Sequence, residues 1–153
     1  MPAVADYLRA LRGIDRAHAT EHSYRPALKA LLEALRPGAV ATNEPKHSAF
    51  GAVDFRVSDG SGPGAMTVGY LECKDIGVSL DEAAKSEQLK RYRQNLPSLV
   101  LTDYLEFRWY VDGVRSPLRL GVSHRREARA SAGSVRQGGA RVAQDEWSYD
   151  FWR

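Results

Sequence analysis

Apolar residues recur at helical spacing in the first third of the chain. Tyr7, Leu8, Leu11 and Ile14 share one face of a segment running from Ala3 to about Ala17, and this spacing predicts a first helix. Leu28, Leu31, Leu32 and Leu35 define a second helix that ends at Pro37-Gly38. Ser23 is the expected N-cap, which places Pro26 in the first turn, where a missing N–H is tolerated. The period then shortens. A short strand is expected at 39–42, and 50–57 and 66–74 read as two further strands. Between the latter two, Ser58-Asp59-Gly60-Ser61-Gly62-Pro63-Gly64 is turn-rich and suits an antiparallel hairpin. A helix is predicted over 80–95, with Ser79 as N-cap and Asp81 and Glu82 in its first turn. Ser98–Thr102, an apolar run between Pro97 and Asp103, reads as a buried strand. The alternating segment 106–111 ends at Asp112-Gly113, a hairpin signal, and 114–121 is its return strand.

This order predicts an α/β fold with a central mixed sheet flanked by helices, occupying residues 1–122. Beyond Val122 the pattern stops. Residues 123–144 are rich in Arg, Ala, Gly and Ser without apolar period, so 123–153 is expected to be a basic, disordered tail. Trp147, Tyr149, Phe151 and Trp152 have no evident core position there. The terminus reads more like a truncated or out-of-frame stretch than a designed end.

Composition narrows the classes. A chain of 153 residues holds one domain with a real core and is too short for two ordinary ones. No apolar run is long enough to span a bilayer, and the N-terminus lacks the basic start and apolar stretch of a secretory signal. The single cysteine, Cys73, excludes an intramolecular disulfide, and a cytoplasmic location is expected. Net charge is +3, compatible with a polyanionic partner. Its distribution says more: Lys85, Lys90, Arg91 and Arg93 cluster on the predicted 80–95 helix. Alone they are a solvated face; beside an acidic site they become candidates for phosphate contact.

That site is suggested by Asp54 in one hairpin strand and Glu72-Cys73-Lys74 in the other. Strand alternation points Glu72 and Lys74 to one side and Cys73 to the opposite layer. Antiparallel neighbours bring Asp54 close to Glu72. Two carboxylates beside one lysine is what a Mg²⁺-dependent phosphodiesterase needs: acids for the metal, and an ammonium to orient water and offset negative charge. Gln88 and Tyr92, four apart, share a helix face. His18-Ala19-Thr20-Glu21-His22 matches a zinc-protease H-x-x-E-H pattern, but the cap-like Thr20 and Ser23 and the nearby Pro26 break the helix that pattern requires, so a chance match is expected. Gly60, Gly62 and Gly64 lack the Gly-Lys-Ser/Thr of a P-loop.

Taken in order, Thr20–Leu28, Gly51–Phe55, Glu72-Cys73-Lys74, Gln88–Tyr92 and Leu101–Phe107 resemble the PD-(D/E)XK nuclease superfamily. More narrowly, they resemble the N-terminal nuclease domain of type IIG and type ISP restriction-modification enzymes. Val53 stands where the superfamily's motif often has proline. The resemblance implies a restriction-endonuclease-like core and Mg²⁺-dependent DNA hydrolysis leaving 5′-phosphate and 3′-hydroxyl ends. It implies metal ligation by Asp54, Glu72 and the Cys73 backbone carbonyl, with Glu21 a further ligand or simply a helix-start carboxylate. Lys74 would assist the attacking water, and Gln88 and Tyr92 would orient water or phosphate. DNA is the implied partner, met by Lys85, Lys90, Arg91 and Arg93, with the chain a monomer or a transient dimer on DNA. The methyltransferase and specificity parts of such a system, which are not in this sequence, are implied as further partners. The alternative reading is a non-catalytic DNA-binding module, or an inactive truncated remnant of a restriction-modification protein.

Overall fold

The computed structural model describes residues 2–46 and 50–121. Helix α1 (Pro2–Arg12) buries Val4, Tyr7, Leu8 and Leu11. It is shorter than its apolar spacing predicts, because Gly13 ends it and Asp15 closes the next turn by accepting the Ala17 N–H at 3.0 Å. Helix α2 (Glu21–Leu35) begins earlier than expected. Thr20, not Ser23, is the N-cap: the Thr20 N–H donates to Ser23 Oγ at 3.1 Å, and the Ser23 N–H donates to the Thr20 carbonyl at 2.9 Å. Pro26 therefore lies in the helix interior, where it removes an intrahelical bond at a cost of about 3 kcal/mol. Burial of Tyr24, Leu28, Leu31 and Leu32 offsets that cost.

Among the described residues six strands lie side by side in chain order: β1 (Val40–Asn43), β2 (Phe55–Ser58), β3 (Thr67–Cys73), β4 (Ser98–Thr102), β5 (Glu106–Val111) and β6 (Val114–Gly121). Every neighbouring pair is antiparallel except β3–β4, which is parallel. A parallel pair needs a crossover, and this one carries α3 (Leu80–Ala83) and α4 (Glu87–Asn95). The single helix expected over 80–95 is thus two. Ser79 caps the first by accepting the Glu82 N–H at 3.4 Å. Ser86 caps the second by accepting the Leu89 N–H at 3.2 Å, the donor that a continuous helix would give to the Lys85 carbonyl. The strand expected over 50–57 is regular only from Phe55. Gly51 has φ +120°, open to glycine, and a Cβ there would lie 3.2 Å from the Tyr92 hydroxyl.

Both faces of the sheet are covered. On one, α1 and α2 pack over Phe55, Val57, Leu71, Cys73 and Val100. On the other, α3 and α4 bring Leu80, Leu89 and Tyr92 against Val53, Leu99 and Leu101. Successive residues of β4 feed opposite layers, as a strand buried on both sides must. This α/β arrangement, a six-stranded mixed sheet flanked by helices, is the restriction-endonuclease-like architecture that the resemblance implied. No helix among the described residues is long and apolar enough to cross a membrane. The tail expected over 123–153 lies outside the described residues.

Candidate active site

The β2–β3 hairpin sets the site. Phe55 pairs with Leu71, so Asp54, just before β2, stands beside Glu72 near the end of β3. Asp54 Oδ2 accepts the Cys73 N–H at 2.7 Å. Cys73 turns into the α1/α2 layer, 1% exposed, and burial together with the Asp54 charge pushes its thiol up. Glu72 and Lys74 turn the other way, and Lys74 Nζ donates to Glu72 Oε1 at 2.8 Å. The Lys74 N–H donates to the Thr102 carbonyl at 2.8 Å, carrying the parallel ladder one step past β3. The group therefore lies at the carboxyl end of the parallel pair, where open α/β sheets place their ligands.

Burial dominates the electrostatics. The Glu72 side chain is 6% exposed, and its Oε2 is buried with no hydrogen-bond partner. Loss of water pushes the Glu72 carboxyl up to about 7, and the Asp54 charge adds to this against the pull of Lys74. Asp54 is also raised by burial, opposed by the Cys73 N–H and by Arg25. For Lys74 burial acts downward, but the Glu72 contact and the charges of Asp54 and Glu21 outweigh it, so the ammonium is held protonated.

The sequence reading gave Arg25 no role, yet it is the hub of the acidic side. Its side chain is 7% exposed. Nη2 donates to Glu21 Oε1 at 2.7 Å and to Asp54 Oδ1 at 2.6 Å. Nη1 donates to Glu44 Oε1 at 2.6 Å and to Asn43 Oδ1 at 3.1 Å. The available signal was its position four residues after Glu21, on a helix whose neighbouring positions are apolar. With Ser23 taken as N-cap, Glu21 fell outside the helix and the pair was invisible. Tyr104 fastens this end of α2 to the sheet: its hydroxyl donates to the Glu21 carbonyl at 3.0 Å, while its own carbonyl accepts from the Tyr7 hydroxyl at 2.7 Å.

Gln88 and Tyr92 come together. Gln88 Nε2 donates to the Tyr92 hydroxyl at 3.1 Å, and that hydroxyl donates to the Ala52 carbonyl at 2.7 Å. Arg91 Nε donates to the Phe50 carbonyl at 3.1 Å. Helix α4 thus holds the segment that leads into Asp54. Lys85 and Lys90 sit on Glu82 and Glu87 at 2.8 and 2.7 Å, exposed pairs worth little. Arg93 lies over the Tyr110 ring, 5.4 Å from its centroid, with Nε buried and unpartnered. His18 precedes α2 and contacts Asp15 at 2.9 Å, whereas His22 is 3.7 Å from Glu44, so the H-x-x-E-H residues do not share one helix. A cleft of about 650 Å³ adjoins Glu21 and is lined also by Arg16, Ala19, Thr20, His22, Tyr24, Asp75 and Ile76.

Among the described residues, no three His, Cys, Asp or Glu side chains are grouped to hold a metal by themselves. Mg²⁺ asks for less. It takes one or two carboxylates and fills its other positions with water and substrate oxygens. The donors here are hard oxygens, and the partnerless buried Glu72 Oε2 is the kind of atom such an ion satisfies. The residues fit.

No protein-family model matches the sequence, and no curated protein matches it. Among solved structures, a match is found in the cryo-EM structure of a DrdV–DNA complex, with a TM-score of 0.62 at 21% identity. The fold is shared. The alignment covers 78% of this chain and 12% of that one, so the likeness spans a small part of the larger protein.

Proposed function

We propose that the chain is a Mg²⁺-dependent DNA endonuclease, the nuclease part of a restriction-modification system. The observation that carries this reading is the pairing of half-buried Asp54 with buried Glu72, with Lys74 on one Glu72 oxygen and the other oxygen unpartnered. DNA as the partner is supported by the fold shared with a chain found in a DNA complex. Asp54, Glu72 and the Cys73 carbonyl would hold the ion, with Glu21, tied to Arg25 beside Asp54, a nearby carboxylate. Bound there, Mg²⁺ supplies positive charge at the scissile phosphate.

The chain's own residues do the rest. Lys74 stays protonated, so it acts as a donor and a charge: it orients the attacking water and offsets the negative charge growing on the phosphate. The water oxygen bonds to phosphorus and gives up a proton to solvent, the bond from phosphorus to O3′ breaks, and O3′ leaves with the electron pair and takes up a proton from solvent. The products carry 5′-phosphate and 3′-hydroxyl ends. Gln88 and Tyr92 steady the 50–54 segment that presents Asp54, and Lys85, Lys90, Arg91 and Arg93 meet the backbone of DNA without reading bases.

Supercoiled plasmid incubated with Mg²⁺ or EDTA, beside a Lys74→Ala variant, tests this reading. Cleavage confined to the wild type with Mg²⁺ is expected, and equal cleavage by Lys74→Ala overturns the mechanism. One observation favours a second reading, a DNA-binding module without turnover: both Asp54 oxygens already accept hydrogen bonds, from Arg25 and the Cys73 N–H. DNA binding with no cleavage in any divalent ion would select it.

A further inference from the structure

Two sets of ion pairs flank one another: Arg25 with Glu21, Glu44 and Asp54, and Lys74 with Glu72. Four carboxylates against two cations leave negative charge in excess, with His22 a further neighbour 3.7 Å from Glu44. The Glu72 side chain, 6% exposed and with Oε2 unpartnered, marks where that charge is unmet. Arg25 could influence a cation there in two opposite ways. As a positive charge it repels the ion, and its removal would tighten binding. As a donor anchored by Nη1 on Glu44 and Asn43, it fixes Asp54 through Nη2, which holds Oδ1 while the Cys73 N–H holds Oδ2, so the plane of the carboxylate is set from both sides. The same Nη2 holds Glu21.

We infer that Arg25 is a positioning residue for the divalent cation, holding Asp54 and Glu21 at the orientation in which they can take it. The inference rests on the metal-dependent reading given above. Geometry outweighs repulsion because Arg25 is itself neutralised by three carboxylates, so little of its charge is left to oppose an ion, whereas no other side chain among the described residues holds both Asp54 and Glu21. A lysine keeps the charge but supplies one nitrogen in place of a planar fork, so it cannot reproduce contacts made by both Nη1 and Nη2. Glu44, 62% exposed, braces the guanidinium from the far side and can be neutralised with little cost to the core.

The test uses the full chain and Mg²⁺ alone as probe. Thermal midpoints of wild type, Arg25→Lys and Glu44→Gln are followed across a Mg²⁺ titration, and plasmid cleavage is measured over the same range. Supporting outcomes are an apparent Mg²⁺ affinity lowered about 10–100-fold in Arg25→Lys, a smaller loss of the same sign in Glu44→Gln, and cleavage that returns as Mg²⁺ is raised. A purely structural role would lower the metal-free midpoint and leave the Mg²⁺ concentration dependence unchanged, which overturns the inference. Tighter Mg²⁺ binding in Arg25→Lys overturns it too. If Arg25→Lys does not fold, Glu44→Gln decides alone by the same criteria. A wild type that neither gains stability from Mg²⁺ nor cuts DNA overturns the parent reading, and this inference with it.

Discussion

Glu72→Gln separates the charge of Glu72 from its shape. The glutamine keeps the volume and can still accept from Lys74, but it never ionises. In the folded chain the Glu72 carboxyl titrates near 7, against an ordinary value of 4.5, chiefly because burial penalises its anion and secondly because Asp54 is charged. Below about pH 4.5 both folded and unfolded chains carry the proton and the residue is neutral to stability. As pH rises the unfolded chain ionises first, so stability falls until the folded carboxyl ionises as well, near 7. At roughly 1.4 kcal/mol per pKa unit the full loss is about 3 kcal/mol, of which about 2–3 kcal/mol falls between pH 5 and pH 8. Little solvent screening reduces this, since the side chain is 6% exposed. Urea unfolding in EDTA at pH 5, 6, 7 and 8 reads it directly: the wild type should lose about 2–3 kcal/mol more than Glu72→Gln across that range. Adding Mg²⁺ at pH 8 should restore wild-type stability and leave the variant unmoved. Parallel pH curves for the two chains would refute the electrostatic account of this site.

Tyr92→Phe removes the donor to the Ala52 carbonyl, and a loss of about 1–2 kcal/mol in urea unfolding is expected, with slower cleavage because the Asp54 segment loosens; unchanged stability would show that this bond is not made. Replacing Lys85 and Lys90 together by glutamine should weaken binding to every DNA sequence alike and lower the slope of log affinity against log salt by up to about 2, and a loss confined to certain sequences would count against phosphate contact. One Asp54/Glu72/Lys74 centre serves one phosphate at a time, so plasmid digests at concentrations where the chain sediments as a monomer should show open circles well before linear DNA. Direct conversion to one linear species at a defined site would contradict that.

The sheet was legible because strands carry local signals: alternation in 106–111, an unbroken apolar run in 99–101, and glycine-rich turns between partners. The Asp54–Glu72 approach followed from the same hairpin register. Helix boundaries were legible less well, since Ser23 and Thr20 are both good caps and only a reciprocal bond between them decides which one starts the helix. That ambiguity hid Arg25. A buried arginine whose partners come from α2, the end of β1 and the residue before β2 has no short-range signature apart from Glu21 four positions earlier. The split at Ser86 was missed because the flanking residues have similar helix propensity and a serine can cap or continue. Gln88 and Tyr92 were legible as a pair, but the Ala52 carbonyl that receives the tyrosine hydroxyl is forty positions away along the chain.

The parallel pairing of β3 with β4 gives the site an order of assembly. Asp54, Glu72 and Lys74 all lie in the hairpin or at its ends, so a growing chain carries all of them early. Yet Glu72 lies opposite Leu101, and Cys73 opposite Thr102, whose carbonyl also takes the Lys74 N–H. Until 75–102 has been made, that side of β3 is an open edge, and α4 is not yet there to hold the 50–54 segment. The acids and the lysine are thus present in the emerging polypeptide, with Arg25 and the Cys73 N–H available to Asp54, before β4 and α4 can fix the rest of the site. The complete arrangement comes into being only when the crossover closes, so the chain cannot assemble its site ahead of its sheet.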